Sequence, residues 1–179
     1  MAVAVARNGL AGTTIADVAA AAGLQRTLVL HYFRDRDELV TAFIDEAVAS
    51  YGERMLGEED GDIDEQVERL FEPGAYQRQE DLVIWTELVA LAARDADVRR
   101  RLHQVWTGQW LPHAELRLRA AHPTASPEQV AATAYALACL VEAHWAFQMQ
   151  GVTDPTRRRQ AQAAARTLLA RLGPVTEQR

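Results

Sequence analysis

A single glycine, Gly23, separates two short apolar-patterned segments near the N-terminus and constrains the fold more than any other residue. The apolar residues before it recur at helical spacing: Ile15, Val18, Ala19 and Ala22. Thr14 can cap the start of this helix, and Asp17 completes a pattern resembling a capping box. A glycine can adopt the left-handed conformation that ends a helix. The pattern therefore predicts a short helix that stops at Gly23.

The segment after Gly23 predicts a second short helix and then a longer one. Helical spacing resumes at Leu24, Leu28, Val29 and Phe33. A helix of this length is not stable alone and needs a scaffold behind it. Asp35 and Glu38 repeat the capping pattern, and the longer helix that follows has an apolar face of Leu39, Val40, Phe43, Ile44, Ala47 and Val48. This is the pattern of a helix-turn-helix, whose second helix lies in the DNA major groove.

At these residues the chain resembles the DNA-binding domain of the TetR family of transcriptional regulators. The matching elements are TTIADVA, the turn AAAAGLQR, HYF at 31–33 and RDEL at 36–39. The resemblance implies an all-α fold, with an N-terminal helix-turn-helix DNA-binding head at residues 1–45 and a larger helical ligand-binding and dimerisation bundle at residues 46–179. It also implies a homodimeric repressor that leaves a palindromic operator in double-stranded DNA when a small-molecule effector binds the bundle.

The resemblance transfers the family's DNA contacts to seven positions: Thr14, Gln25, Arg26, Thr27, Leu30, His31 and Arg36. We assign Arg26 and Arg36 to phosphates, and Gln25 and Thr27 to base edges. Leu30 stands where the family usually has a phosphate-contacting tyrosine. A leucine cannot donate a hydrogen bond to a phosphate, although it can touch a thymine methyl group. Each of these residues could also be an ordinary solvated helix residue.

The start of the chain departs from the family pattern. Val3, Ala6 and Leu10 predict a first helix that is shorter than the family's, and only Arg7 and the terminal amine could serve as its basic arm. Since each phosphate contact adds affinity, two interpretations stay open. Either residues upstream of Met1 complete the arm, or DNA binding is weak.

Composition predicts a helical cytoplasmic protein that does not coat nucleic acid with its whole surface. The net charge is −6, and residues 1–40 are neutral with four arginines and four acidic residues. The single cysteine, Cys139, lies in an apolar run, which predicts a buried reduced thiol. No apolar run approaches the length expected of a membrane span, and the N-terminus lacks the pattern of an export signal.

The remaining pattern predicts five further helices after an acidic boundary loop at residues 57–64. They cover 65–71, 79–93, 95–121 with a kink at Pro112, 126–150 and the segment after Asp154. The helix at 79–93 is apolar nearly all round, which predicts burial on most sides. Three arginines at 99–101 are interpreted as a solvated face neutralised by Asp95 and Asp97.

The bundle predicts a ligand pocket and a dimer interface. An aromatic and polar set could line the pocket: Trp85, Glu87, His103, Trp106, Trp110, His113, Glu142, His144, Trp145, Gln148 and Met149. This set favours a hydrophobic or aromatic effector, although core packing would explain each tryptophan. The two C-terminal helices carry more apolar surface than a small bundle needs, which predicts a two-fold four-helix interface. A monomer with a thick core is the alternative.

Catalysis has little support in the sequence. It contains no phosphate-binding glycine loop, nucleophile elbow or paired-cysteine motif, so we expect neither an enzyme nor a cofactor. A metal site would require His103, His113 and His144 to meet. The alternatives are a small helical enzyme and a ligand-binding or protein-interaction dimer whose head has lost DNA binding.

Overall fold

The computed structural model of the chain describes residues 1–56, 62–75 and 79–173, and every regular element within them is a helix. The helices are α1 (Ala2–Gly12), α2 (Ile15–Ala22), α3 (Arg26–Tyr32), α4 (Arg36–Leu56), α5 (Ile63–Arg69), α6 (Gln79–Ala92), α7 (Ala96–Val105), α8 (Leu111–Ala121), α9 (Pro127–Met149) and α10 (Pro155–Ala170). A π-helical turn, Trp106–Trp110, joins α7 to α8.

Packing divides the chain into two units. One unit comprises Met1–Gly52 with Gln77–His103, and the other comprises Glu53–Tyr76 with Gln104–Arg179. The predicted division at residues 45 and 46 is thus not the division that packing produces, because α6 packs on α1 within the first unit. As a division of functions it stays a prediction.

The helix-turn-helix forms as its capping residues predict. Thr14 caps α2 by accepting from the Asp17 backbone N–H at 3.2 Å, while its own backbone N–H donates to the Asp17 carboxylate at 2.9 Å. The Thr14 hydroxyl and the Thr14 backbone N–H both donate to the Asp17 carboxylate, which favours its charged form and holds the pKa of Asp17 below its ordinary value. Gly23 ends α2 with φ of 67°, in the left-handed region.

A small apolar core fixes α3 against its scaffold. The core residues come from four helices: Ala4, Val18, Ala19, Val29 and Leu39, with Met1, Ile15 and Phe33 packed at the edge. The short α3 is therefore supported on its inner side alone.

Glu38 and Asp35 cap the start of α4, since the Glu38 N–H donates to Asp35 Oδ1 at 2.9 Å. The Arg34 N–H in turn donates to Glu38 Oε2 at 2.7 Å.

Helix α1 is interrupted at Gly9, whose φ of 69° and ψ of 163° are not helical. The break frees the Leu10 N–H, which donates to Glu87 Oε2 on α6 at 3.2 Å. The Thr13 hydroxyl donates to the Gly9 carbonyl oxygen at 2.7 Å and is itself buried. Side chains therefore take the backbone groups that the break releases.

Helix α6 was predicted to be buried on most sides, and burial covers only part of it. Leu82, Ile84, Trp85 and Leu88 are buried, whereas Val89 is exposed. The Trp85 ring stacks on Tyr51 of α4, with ring centroids 3.5 Å apart. The apolar composition of α6 thus exceeds what its own unit covers.

The long helix predicted at 95–121 contains a π-helical turn, Trp106–Trp110, just before Pro112, where a kink was expected. The Leu111 N–H donates to the Trp106 carbonyl, five residues earlier, which is the π-helical pattern. Proline has no N–H to donate to the preceding turn, so the ladder is interrupted there. Among the arginines at 99–101, Arg100 pairs with the predicted Asp97 at 2.8 Å, whereas Arg101 pairs with Asp45 of α4. The interpretation as a solvated face agrees with the exposure of Arg99 and Arg100.

The second unit is built around α9. Ser126 caps this helix and Pro127 opens it, as predicted. Val130, Ala134 and Val141 are completely buried on its inner side. By length and composition α9 could cross a membrane, which corrects the expectation that no apolar run approaches that length. Its fully buried side chains identify it as the central helix of a packed unit.

The predicted boundary loop at 57–64 lies partly outside the described residues, which resume at Asp62. Asp62 caps α5, so this helix begins two residues earlier than expected. Asp154 and Pro155 begin α10 as predicted. The predicted apolar stripe on α10 is only partly buried. Ala165, Leu169 and Leu172 are buried, whereas Ala164 is exposed.

Candidate functional site

The outward side of α3 is the candidate recognition surface. Val29 is the buried residue of this helix, and at about 100° per residue Thr27 and His31 lie opposite it. Both are exposed, as are Gln25 at the N-cap and Arg26 in the first turn. Four of the seven predicted contact residues are therefore exposed, and Thr27 and His31 lie on the side of α3 that faces away from the core.

Leu30 and Thr14 are exposed as well. Leu30 is 37% exposed on one flank of α3. Thr14 is exposed at the start of α2, where its hydroxyl donates to Asp17 Oδ2 at 2.6 Å. Capping therefore already uses the Thr14 hydroxyl. A phosphate bound here would instead contact the backbone N–H groups at the start of α2.

Arg36 makes hydrogen bonds within the head. Its Nε donates to the Thr13 carbonyl at 2.9 Å, and Nη2 donates to the carbonyls of Leu10 at 2.7 Å and Ala11 at 3.1 Å. These bonds tie the start of α4 to the end of α1, which gives Arg36 a positioning role. Its assignment to a phosphate stays a prediction.

Two exposed residues were not among the predicted contacts. Tyr32, the last residue of α3, is 72% exposed and lies edge-on to His31 with ring centroids 5.4 Å apart. Arg34 is also exposed and has Asp35 3.5 Å away. Tyr32 carries a phenolic hydroxyl two residues after Leu30, the position at which the family usually has a tyrosine. The signal for it was in the HYF element, in which Phe33 alone continues the buried face.

In the first unit, three predicted pocket residues have different environments. Trp85 is buried in the stack with Tyr51, and His103 is exposed. The Glu87 carboxylate accepts from the Leu10 N–H and lies at the Gly9 break. This contact explains a carboxylate on an apolar helix, and the assignment of these residues to a pocket stays a prediction.

In the second unit, the aromatic residues of the predicted pocket form two clusters. Trp106 and Trp110 pack edge-to-face with centroids 5.6 Å apart. His144 is buried edge-on between Phe71 and Trp145, with both centroid distances at 5.3 Å. Trp145 Nε1 donates to the Leu70 carbonyl at 2.9 Å, so its polar atom is satisfied. The clusters supply aromatic surface close to buried polar groups.

Among the predicted pocket residues, His113 and His144 each place a buried Nε2 without a hydrogen-bond partner. Burial lowers the pKa of His144, opposed by a hydrogen bond to the Phe71 backbone and reinforced by the Arg158 charge. The ring is therefore held neutral, and a buried unpartnered nitrogen is a position where a ligand's polar group can bind. Glu142, Gln148 and Met149 are half-buried on the same helix as His144.

The described residues contain no group of three or more His, Cys, Asp or Glu side chains that could hold a metal ion. His103 belongs to the first unit, whereas His113 and His144 belong to the second. The three histidines considered for a metal site are thus divided between separately packed units.

An apolar groove lies along the outer side of α9 and α10, with a volume of about 690 Å³. Its lining is made of small and apolar side chains with one arginine: Ala136, Cys139, Leu140, Ala143, Ala164, Thr167, Leu168 and Arg171. Cys139 is exposed there, so the prediction of a buried thiol was wrong for the single chain. The residue faces away from the core because the inner side of α9 is occupied by Leu137, Ala138 and Val141.

Comparisons with known proteins agree with this architecture. Residues 3–43 match the family of bacterial regulatory proteins, tetR family. A crystal structure assigned to a TetR-family transcriptional regulator from Rhodococcus sp. is similar in fold, with a TM-score of 0.67 and 21% identity over 94% of this chain and 93% of that one.

A second similar structure is the transcriptional regulator FadR from Bacillus subtilis in complex with stearoyl-CoA. It has a TM-score of 0.62 and 14% identity over 96% of this chain and 92% of that one. No curated protein sequence matches the chain significantly.

The match covers α1, α2, α3 and the first part of α4, and the fold likeness extends over nearly the whole chain. These helices present a helix-turn-helix with an exposed second helix. Residues 3–43 therefore match the N-terminal domain of the TetR family of transcriptional regulators, and the chain as a whole has a fold similar to that of the two solved structures.

Proposed function

We propose that the chain is a homodimeric repressor that occupies a palindromic operator and is released by a small hydrophobic or aromatic ligand. The observation that carries this proposal is the surface of α3, where Gln25, Arg26 and Thr27 are exposed in and before the first turn. The first turn of a recognition helix is the part that meets base edges. The support behind α3 is a closed apolar core, so the helix is presented as a rigid element.

The chemistry of this surface divides contacts between phosphates and bases. Arg26 is exposed and suits a phosphate, while Gln25 and Thr27 can hydrogen-bond base edges. Tyr32 adds a hydroxyl at the far end of α3, where it can donate to a second phosphate. Because residues 1–40 are neutral overall, affinity depends on these few placed groups more than on a general positive field.

The outer groove of α9 and α10 supports the dimer. Alanines at 136, 143 and 164 allow another helix pair to approach closely, and Leu140 and Leu168 supply apolar area. A second copy offers the same surface, as a two-fold interface requires. The dimer would carry two α3 helices roughly 34–36 Å apart, the spacing of successive major grooves on one side of DNA.

The second unit supports the effector class. Trp106, Trp110, Phe71 and Trp145 provide aromatic surface, while the buried His113 and His144 nitrogens can fix the orientation of a polar group. Because the His144 bond to the Phe71 backbone uses one ring nitrogen, Nε2 is left as an acceptor in the neutral ring. A matching effector carries a hydroxyl, amide or amine N–H on an apolar body. The stearoyl-CoA complex of FadR is an instance of this fold holding a ligand with a long apolar chain.

Release requires that the effector favour a dimer whose α3 spacing does not match the operator. A ligand with equal affinity for both spacings would shift nothing, however tightly it bound. The effector therefore has to bind the free dimer more tightly than the DNA-bound one.

The alternative, a helical dimer that binds a ligand or protein without DNA, is favoured by the exposed leucines of the head. Leu24, Leu28 and Leu30 would suit a protein partner as well as a base edge. DNA selection distinguishes the two functions. The full-length protein is mixed with fragmented genomic DNA at moderate salt, and bound fragments are sequenced.

Recovery of a palindromic sequence supports the repressor, and the matched variants locate the interface. Arg26→Ala should weaken binding to every sequence and reduce the salt slope by about one. Gln25→Ala should cost about 1–3 kcal/mol and relax preference at one base pair. Recovery of random fragments only, with normal folding, would contradict the repressor function.

A further inference from the structure

Three leucines lie exposed on the helix-turn-helix at the surface proposed to meet DNA. Leu24 in the turn is 47% exposed, and Leu28 and Leu30 on α3 are 41% and 37% exposed. The inward side of α3 is already filled by Val29 and Phe33, which join the core of the head. The head therefore does not need these leucines to fold, and their exposure calls for a partner with an apolar group.

Helical geometry places two of the leucines beside the predicted base-reading edge. Leu28 and Leu30 lie about 100° to either side of the buried Val29. Thr27 and His31 lie between them on the outward side. When that side faces the floor of the major groove, the two leucines flank it and meet the base edges on either side.

The major groove offers one apolar group to such a side chain. Its base edges present hydrogen-bond donors and acceptors, and thymine adds a C5-methyl group. A leucine pressed against a phosphate or a polar base edge would displace water without replacing its hydrogen bonds, which is unfavourable. A leucine against a thymine methyl buries apolar surface on both partners.

We propose that Leu28 and Leu30 read thymine methyl groups, so that each operator half-site carries a thymine facing each leucine. This inference rests on the proposed DNA binding and names the sequence class that the same surface prefers. Arg26 then supplies attraction to the backbone, while thymine position supplies much of the specificity. Leu30 thus makes a base contact at the position where the family's tyrosine makes a phosphate contact.

The test uses uracil, which pairs like thymine but lacks the methyl group. The full-length protein selects its operator from random duplex DNA, and the operator is resynthesised with dU replacing dT at one half-site position at a time. Affinities are measured by fluorescence anisotropy at fixed salt. At the positions facing Leu28 and Leu30 the affinity should fall about fourfold for each methyl removed, the equivalent of one buried methyl-sized group. Replacement in the flanking DNA should change nothing.

Leucine variants separate direct contact from an effect of uracil on DNA shape. In Leu30→Ala and Leu28→Ala, the affinity ratio between the thymine and uracil operators should fall to one at the matching position. Arg26→Ala should weaken both operators equally and keep the wild-type ratio.

Equal wild-type affinity for the two operators would overturn the inference while leaving the repressor function in place. A uracil effect that survives in both leucine variants would overturn it as well. If no preferred DNA is recovered at all, the proposed function fails, and this inference fails with it.

Discussion

Arg36 Nη2 donates to the carbonyl oxygen of Leu10 at 2.7 Å, joining the start of α4 to the end of α1. Nε of the same guanidinium donates to the Thr13 carbonyl at 2.9 Å. Because α1 and α4 both contribute to the core beneath α3, this side chain helps to fix the orientation of the recognition helix.

Replacement of Arg36 should therefore affect stability before DNA contact. Arg36→Ala removes charge-assisted bonds to backbone carbonyls that become partly unsatisfied, at a cost of about 1–3 kcal/mol in the free energy of unfolding. If Arg36 only positions the helix, DNA affinity should fall while the salt slope stays unchanged, because no phosphate contact is lost. Arg34→Ala, at an exposed position two residues away, is the control and should unfold like the wild type. A normal unfolding curve with a flattened salt slope for Arg36→Ala would support the phosphate role.

Glu87 should behave as an acceptor for the broken α1. Glu87→Ala leaves the Leu10 N–H without its partner and should destabilise the protein by about 1–3 kcal/mol. Glu87→Gln keeps a carbonyl oxygen and should recover most of that loss. The measurement is amide hydrogen exchange at Leu10 together with urea denaturation. Unchanged exchange at Leu10 in Glu87→Ala would show that this hydrogen bond does not form in solution.

The outer groove of α9 and α10 should hold the dimer together. Leu140→Arg places a charge in the apolar groove and should produce a monomer in sedimentation equilibrium, because an unpaired charge is costly to bury. Leu116→Arg, at an exposed apolar position on α8, is the matched control and should stay dimeric.

Cys139 reports on the same interface without changing it, because it is the chain's single cysteine. Its thiol should react slowly with a maleimide in the wild type and rapidly in Leu140→Arg. Equal labelling rates in the two proteins would place the interface elsewhere.

The buried His144 should make stability depend on pH. The unfolded residue takes up a proton near its ordinary pKa of 6.5, whereas burial lowers the pKa of the folded residue. Between those two pH values the unfolded state binds more protons, so the free energy of unfolding falls as pH falls below about 6.5. The full contribution is present above that pH. Urea denaturation from pH 8 to 5 should show a shallower decline for His144→Gln, and parallel curves for the two proteins would contradict the assignment.

The helix-turn-helix was predictable because short-range chemistry determines it. Thr14 with Asp17, and Gly23 with its left-handed φ, act within a few residues, so the sequence displays them directly. The capped start of α9 at Ser126 was predictable for the same reason. An irregularity of the helix near Pro112 was also predictable, although the sequence could not distinguish a π-helical turn from a simple kink.

Contacts between distant segments could not be predicted from the sequence. The hydrogen bonds of Arg36 were not foreseen, because its partners lie 23 to 26 residues earlier in the chain. The hydrogen bond of Glu87 was not foreseen, because its partner, the Leu10 N–H, becomes available only through the break at Gly9. Cys139 was assigned to the core because composition shows that α9 is apolar but not which of its sides faces solvent. Each depends on packing between distant segments.

The most direct test of sequence-specific DNA binding is the ratio of dissociation constants for random DNA and for a selected operator of equal length. The purified dimer is titrated at several salt concentrations against both DNAs, with the intergenic DNA beside its own gene as the source of the operator. A sequence-specific repressor should give a ratio of about 10³ or more, and the ratio should fall sharply for Gln25→Ala. Equal affinity for both DNAs in a folded dimer would contradict the repressor function.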